Sequence, residues 1–459
     1  MPAPPGLWFG ERMTTHGWTA GTSRRAFLQT TLLAASAPAV LRGADAAGGL
    51  SDADRLAEAR EQIARHRRAR GVVVVRDAQG RPVPGARVKV TQVRHEFRFG
   101  CNFFMFDRVG DPELEDAYRR RFAGLLNFAT LGFYWSSYER ERGQPAYAYT
   151  DKVLEWTRTA GLECKGHPLV WDHPAGSPRW LPEADDELAR LSNGRVEEIV
   201  ARFKGQLDCW DVVNEATHLP DRANRTRMAQ WGEQMGSDAY TRQPLLLARA
   251  ANPNATLLVN DYRLVPRYYQ LLDGLRADGK LLFDAVGIQS HMHDGGWPLR
   301  RVQEVCDTYA RLGLPLHFTE TTLVSGPRLG PGENWGPTTP ELEARQAESV
   351  VSFYTLLFAH PAVQAITWWD FSDRGAWQRA AAGLVRADMT PKPAYERLLA
   401  LVKGDWWTRA EGLTDDQGQL ALDAFGGRHR VAAEAPDGRR ATLEMVWRTG
   451  AENRVELRL

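Results

Sequence analysis

The chain has 459 residues, of which 43% are hydrophobic and 25% charged, with 58 basic and 57 acidic side chains and a formal net charge of +1. This is a globular composition, not a disordered one, and the length suits one large domain of roughly 250–300 residues with smaller modules around it. With so little net charge, nothing in the chain attracts a polyanion, so neither nucleic acid nor an anionic membrane is an expected partner.

Residues 1–46 read as an export signal. Ser23-Arg24-Arg25-Ala26-Phe27-Leu28 precedes a mildly apolar run from Leu32 to Leu41, and Ala37-Pro38-Ala39 and Ala44-Asp45-Ala46 offer cleavage sites. Twin arginines ahead of a weak apolar stretch are similar to a twin-arginine signal, so an exported protein, periplasmic or extracellular, is expected. Met13 would give an ordinary signal length. The run is shorter than the roughly 20 apolar residues that span a bilayer. Residues 47–70 read as a linker or charged helix, with Arg65–Arg70 on its solvated face.

Gly71–Val75 is a β-branched run. Turns at Asp77–Gly80 and Pro82–Gly85 follow it, and Ala86–Val93 alternates with period two, so residues 71–96 are expected as β-strands. From residue 97 to 403 strand, loop and helix repeat. Eight strand candidates stand out: Phe97–Phe103, Phe128–Tyr134, Glu163–Val170, Cys209–Val213, Thr256–Asn260, Ala285–Gln289, Leu316–Thr319 and Ala365–Trp369. Helical stretches between them include Thr150–Ala160, Arg195–Gln206, Arg267–Ala277 and Thr339–Phe358. Eight such alternations predict an α/β fold, a closed parallel (β/α)₈ barrel. An open doubly wound sheet also alternates, but the chain has no G-x-G-x-x-G turn, and its polar groups fall at many strand ends.

Residues 404–459 return to β character, with strand candidates at Leu420–Leu422, His429–Ala433, Ala441–Trp447 and Arg454–Leu459. The front segment resembles the first strands of a transthyretin-like sandwich and the back segment its later ones. Neither has enough strands to bury a face alone, so the two are expected to pair into one accessory β-sandwich, with the barrel inserted between them. Cys101, Cys164, Cys209 and Cys306 form no C-x-x-C pair. Buried thiols or a disulfide remain alternatives.

In a barrel of this kind functional groups gather at the C-terminal ends of the strands. Here those ends carry His167, Asp172, Asn214, Glu215, Asn260, Asp261, Gln289, His291, Glu320, Trp369 and Asp373. Carboxylates, amides, imidazoles and indoles without a metal-ligand cluster describe a sugar site: the polar groups bond hydroxyls, and indole faces stack on pyranose rings. Trp135, Trp171, Trp368, Trp369 and Trp377 lie at or near these ends. Glycoside cleavage needs two carboxyl groups, one protonated and one ionised. Glu215 ends the fourth strand candidate and Glu320 the seventh, across the barrel mouth from each other. A separation of about 5–5.5 Å would make the reaction retaining.

Seven ordered motifs then carry a resemblance to family-ten glycoside hydrolases, the xylanase family. Trp210-Asp211-Val212-Val213-Asn214-Glu215-Ala216 is similar to its acid/base signature. Gly166–Trp171, Asn260-Asp261-Tyr262, Gly287–His291, Phe318-Thr319-Glu320, Thr367–Trp377 and Pro391–Tyr395 resemble its other motifs in the right order. The resemblance implies Glu215 as general acid/base and Glu320 as nucleophile. It also implies Asn214 on the sugar 2-hydroxyl, His291 orienting Glu320, His167 and Gln289 on neighbouring hydroxyls, Trp369 as floor and Trp377 as wall. Trp171 and Asn260 complete the substrate-binding set. No cofactor or metal is implied, the partner is a polysaccharide or oligosaccharide, and a monomer is expected.

Some positions depart from the family. Its second-strand Glu, Asn and Lys are replaced by Thr130, Leu131 and Tyr134, and Thr321-Thr322 stands where Leu-Asp usually follows the nucleophile. The carboxylate that normally supports His291 is therefore missing. The expectation is a retaining hydrolase of β-1,4-linked xylan or a related β-linked polysaccharide. The alternatives are a same-clan hydrolase with a non-xylan substrate and an inactive carbohydrate-binding protein.

Overall fold

Ser51 caps the first helix, Asp52–Arg67, by accepting from the Asp54 N–H. This is in the computed structural model, which describes residues 50–221, 225–330 and 335–459. The export signal read over residues 1–46 lies outside the described residues. Ala59 and Ile63 on this helix join the main core. Arg67 corrects the expectation of a wholly solvated arginine face: its guanidinium donates to the carbonyls of Phe358, His360 and Val363 at 2.6–2.7 Å and ties the helix to the barrel.

The β-branched run then forms β1 (Arg68–Arg76), followed by β2 (Arg87–His95). Six strands come next: β3 (Arg98–Asn102), β4 (Phe128–Gly132), β5 (Glu163–His167), its continuation β6 (Val170–Trp171), β7 (Cys209–Asn214) and β8 (Thr256–Asp261). A small hairpin, β9 (Arg276–Ala277) with β10 (Lys280–Leu281), replaces the end of the helix expected to reach Ala277. That helix stops at Gly274. Then come β11 (Ala285–Met292), β12 (Leu316–Leu323) and β13 (Val363–Trp368).

The strands β3, β4, β5–β6, β7, β8, β11, β12 and β13 pair in parallel, each with the next, and β13 returns to β3. The sheet is thus the expected closed eight-strand barrel. β11 and β12 run further than their apolar pattern suggests. Their last residues are polar but bond each other across the ladder: Ser290 with Thr321 at 2.8 Å and His291 with Thr322 at 2.9 Å. Polar groups satisfied this way continue a strand that hydropathy alone would end.

The last segment supplies β14 (Arg409–Leu413), β15 (Gln419–Phe425), β16 (Gly427–Glu434), β17 (Arg440–Trp447) and β18 (Asn453–Arg458). β1 lies between β15 and β18, and β2 between β14 and β16 with β17 beyond. The front and back segments therefore do build one accessory sandwich. Its core holds Val73 and Val75 from one sheet against Val88, Val90 and Val431 from the other. Sequence patterning misses β14, whose alternation carries little apolar weight; pairing with β2 makes it a strand.

All four cysteines are buried and unpaired. Among the described residues no helix is long and apolar enough to cross a membrane.

Gly166 of β5 shows how tightly the barrel closes. A Cβ there would lie 2.1 Å from the indole of Trp210, which is fully buried. Gly166→Ala is expected to destabilise the fold by about 1–3 kcal/mol or more through overpacking, measured as a lowered urea midpoint with unchanged slope.

Candidate active site

Glu215 follows β7 directly, in the left-handed region with φ 60°. Such a conformation is costly for a residue with a Cβ. Hydrogen bonds on both sides hold it: the Glu215 N–H donates to the Asn260 carbonyl at 2.7 Å, and the Glu215 carbonyl accepts from the His218 N–H at 3.1 Å. Glu320 lies within β12, opposite Gln289 of β11, beside an irregularity of register in both strands. Irregularities of this type re-aim side chains. Glu215 and Glu320 are each only 6% exposed.

Three amides link the two carboxyl groups. Gln289 Nε2 donates to Glu215 Oε1 at 3.1 Å and to Asn214 Oδ1 at 3.2 Å. Asn260 Nδ2 donates to Asn214 Oδ1 at 2.8 Å and to Glu320 Oε1 at 2.9 Å. Asn214 Nδ2 donates back to Glu215 Oε1 at 3.2 Å, and Trp171 Nε1 reaches Glu215 Oε2 at 3.1 Å. On the far side of Glu320, His291 Nε2 donates to Oε2 at 3.0 Å, and His167 Nε2 stands 3.7 Å from Oε1. Gly287 keeps Asn260 in place, since a Cβ there would lie 2.7 Å from Asn260 Oδ1.

The environments of the two carboxyls differ. Burial, then the charges of Asp261 and Glu320, push the Glu215 carboxyl up to about 8. Burial acts the same way on Glu320, but the charge of His167 and the hydrogen bond from His291 outweigh it and hold Glu320 below its ordinary value. One buried carboxyl is thus protonated at neutral pH while its neighbour is ionised. This is the division of labour that acid chemistry beside a nucleophile or base requires.

A second layer sets these groups. His167 Nδ1 pairs with Asp211 Oδ2 at 2.8 Å, and Lys165 Nζ lies 2.6 Å from the same oxygen, all three side chains at most 1% exposed. The support missing behind His291 is replaced: the Thr322 hydroxyl sits 2.9 Å from His291 Nδ1 and donates to the Trp369 carbonyl at 2.8 Å. Trp369 is buried beneath the site, edge-on to His167 at 5.4 Å and to Phe104 at 5.2 Å. The Trp377 ring stands 4.7 Å from His291, and Trp171 stacks on His173 at 4.2 Å.

All ten residues singled out from the sequence therefore meet at one barrel mouth. Other strand-end groups do not join them. Asp261 Oδ2 accepts from the Thr217 hydroxyl at 2.5 Å and braces the loop after Glu215. Asp373 pairs with buried Lys392 at 2.8 Å. Trp135 bonds Glu139, and Trp368 is fully buried core. Sequence reasoning missed Asn102 and Asp370, which bond each other at the ends of β3 and β13. Both sit at strand ends, so the rule that found the others applies to them too. Among the described residues no group of three or more His, Cys, Asp or Glu is placed to hold a metal ion.

The glycosyl hydrolase family 10 model matches residues 129–401. The anti-sigma-I factor RsgI6 of Acetivibrio thermocellus is 26% identical over 387 residues, covering 83% of this chain and 46% of that protein. Endo-1,4-beta-xylanase 1 of Arabidopsis thaliana is 27% identical over 362 residues, covering 76% of this chain and 34% of that protein. The chain thus spans less than half the length of these two curated relatives. Among solved structures, xylanase 10B from Thermotoga petrophila RKU-1 in complex with xylobiose shares the fold, with a TM-score of 0.58 and 22% identity over 68% of this chain and 95% of that one.

Because His291 draws Glu320 down, His291→Ala is expected to raise the Glu320 pKa. Gln289→Leu, which removes a donor to Glu215, is expected to raise that pKa above its value of about 8. Carboxyl ¹³C titration by NMR in glutamate-labelled protein reads both shifts.

Proposed function

Since the chain belongs to glycosyl hydrolase family 10, we propose that it is a retaining hydrolase of β-1,4-linked xylan or a related β-linked polysaccharide. Glu215 is its general acid/base and Glu320 its nucleophile. The observation that carries this reading is the pair of buried carboxyls at one barrel mouth, joined through three amides, one held protonated and the other ionised.

In the first step Glu320 Oε attacks the anomeric carbon as the glycosidic C–O bond breaks, and Glu215 delivers its proton to the departing oxygen. In the second, Glu215, now a carboxylate, takes a proton from water, whose oxygen displaces Glu320 and restores the starting state. Asn214 serves the sugar hydroxyl beside the scissile bond, His167 and Gln289 bind neighbouring hydroxyls, and His291 orients Glu320. Trp369 and Trp377 bound the ring. Trp171 fixes the acid through its indole N–H.

The second-strand replacements bear on the substrate. Thr130 is fully buried and Leu131 5% exposed, so neither offers a charged contact to a sugar. A lost charged hydrogen bond is worth roughly 1.5–3 kcal/mol, which favours a decorated xylan or another β-linked glycan over plain xylan. Export through the twin-arginine-type signal at residues 1–46 agrees with a polymeric substrate outside the cell.

Activity on aryl β-xylosides should decline as pH rises through about 8, where Glu215 loses its proton. It should also decline in acid, as Glu320 gains one. Glu215→Gln should remove the basic limb and lower turnover of poor leaving groups by roughly 10²–10⁴. A 2-fluoro-glycoside should label Glu320 covalently, with the anomeric configuration of the product retained by NMR. No labelling and no turnover on a panel of β-linked polysaccharides and aryl glycosides would instead make the chain a carbohydrate-binding protein.

A further inference from the structure

Asp370 is a deeply set carboxyl that the double displacement does not use. It follows Trp369 at the end of β13, the eighth barrel strand, and Asn102 ends β3, the first. These strands are neighbours and lie across the mouth from β7 and β8, which carry Glu215 and Asp261. The Asp370–Asn102 corner therefore lies at the mouth next to the strand of Glu320 and away from the strand of Glu215.

The carboxylate is only partly satisfied. Asn102 Nδ2 donates to Oδ1, and the Trp377 N–H donates to Oδ2 at 2.5 Å. A carboxylate offers about four acceptor positions, and among the described residues no cation forms an ion pair with Asp370. Burying such a group is expensive unless its remaining acceptor capacity is used. Asp370 as a residue is partly exposed, while its neighbour Trp369 is buried. Tyr134, edge-on to His167 at 5.5 Å, and Phe104, edge-on to Trp369, stand around the same corner. Burial and the charges of Glu320 and Asp370 keep the Tyr134 phenol protonated, so it brings no negative charge to the corner.

We propose that Asp370 is a specificity-determining residue whose carboxylate accepts a hydrogen bond from one ring hydroxyl of the sugar held between Glu320 and Trp369. It supplies the charged contact that Thr130 and Leu131 cannot. The inference rests on the reading of Glu215 and Glu320 as a hydrolytic pair and adds to it the group that reads the glycone. The rival role for Asp370 is purely structural, anchoring the Trp377 loop through its backbone N–H.

The two roles separate in a cycle between enzyme and substrate. From the panel of aryl β-glycosides, the one that wild type turns over best and its monodeoxy analogues, each lacking one ring hydroxyl, are assayed with wild type and Asp370→Asn. If Asp370 reads a hydroxyl, one analogue falls in kcat/KM on the order of tenfold or more with wild type. Asp370→Asn falls by a similar factor on the parent but is indifferent to loss of that hydroxyl, and the other analogues respond alike in both enzymes. A single common factor across the whole series, or no change at all, overturns the proposal. Asp370→Gly, which leaves no side chain in the corner, repeats the cycle if Asp370→Asn does not fold. A wild type that turns over none of the glycosides overturns the hydrolase reading and this inference with it. An active wild type without coupling overturns this inference alone.

Discussion

Two carboxyl groups cannot both be ionised at low cost when they share one buried hydrogen-bond network. The site described here is arranged around that constraint. Amide donors run from Gln289 through Asn214 and Asn260 and hold the two groups at one barrel mouth. The imbalance of charge around them decides which keeps a proton. Imidazoles gather on Glu320, and carboxylates gather around Glu215. The barrel supplies the positions: strands across the mouth from each other aim their end groups at one point, and adjacent strands lay down the supporting layer.

Much of that layer sits deeper in the barrel. Lys165, Asp211 and His167 form a buried group spanning β5 and β7. Burial alone would raise Asp211, yet Lys165 and His167 hold it low. Asp211 in turn fixes the orientation of the imidazole that faces Glu320. Thr322 does similar work from the other side through a neutral hydroxyl, which keeps His291 in line without adding a further negative charge near the nucleophile. The departure at this position thus changes the electrostatics while preserving the geometry.

The barrel was legible in the sequence because apolar runs of strand length recur along it; the ten residues that meet at its mouth were reached from polar groups at strand ends together with the resemblance to the family-ten motifs. The pairing of the two β segments was legible because neither could cover a face alone. Features that depend on distant partners were hidden. β14 alternates with too little apolar weight to mark a strand and is held by its pairing with β2. β11 and β12 continue past their apolar residues because Ser290, His291, Thr321 and Thr322 satisfy one another. Arg67 looked like one more surface charge until three carbonyls of the barrel were seen to receive it. Asn102 and Asp370 stand at strand ends like the others, but their bond to each other is a property of barrel closure and has no signal in the sequence.

The order of the strands in the accessory sandwich also has a consequence for synthesis. β1 takes both of its neighbours, β15 and β18, from beyond the barrel. On a ribosome making the chain from its N-terminus, the valines of β1 emerge long before any partner exists, and the whole barrel must be translated in the interval. A nascent or truncated chain that stops short of Gln419 presents β1 with neither neighbour, an apolar β-branched edge of the type that pairs with other chains. The last strands act as a closing clasp, and until they arrive this molecule carries its own aggregation hazard at its front end.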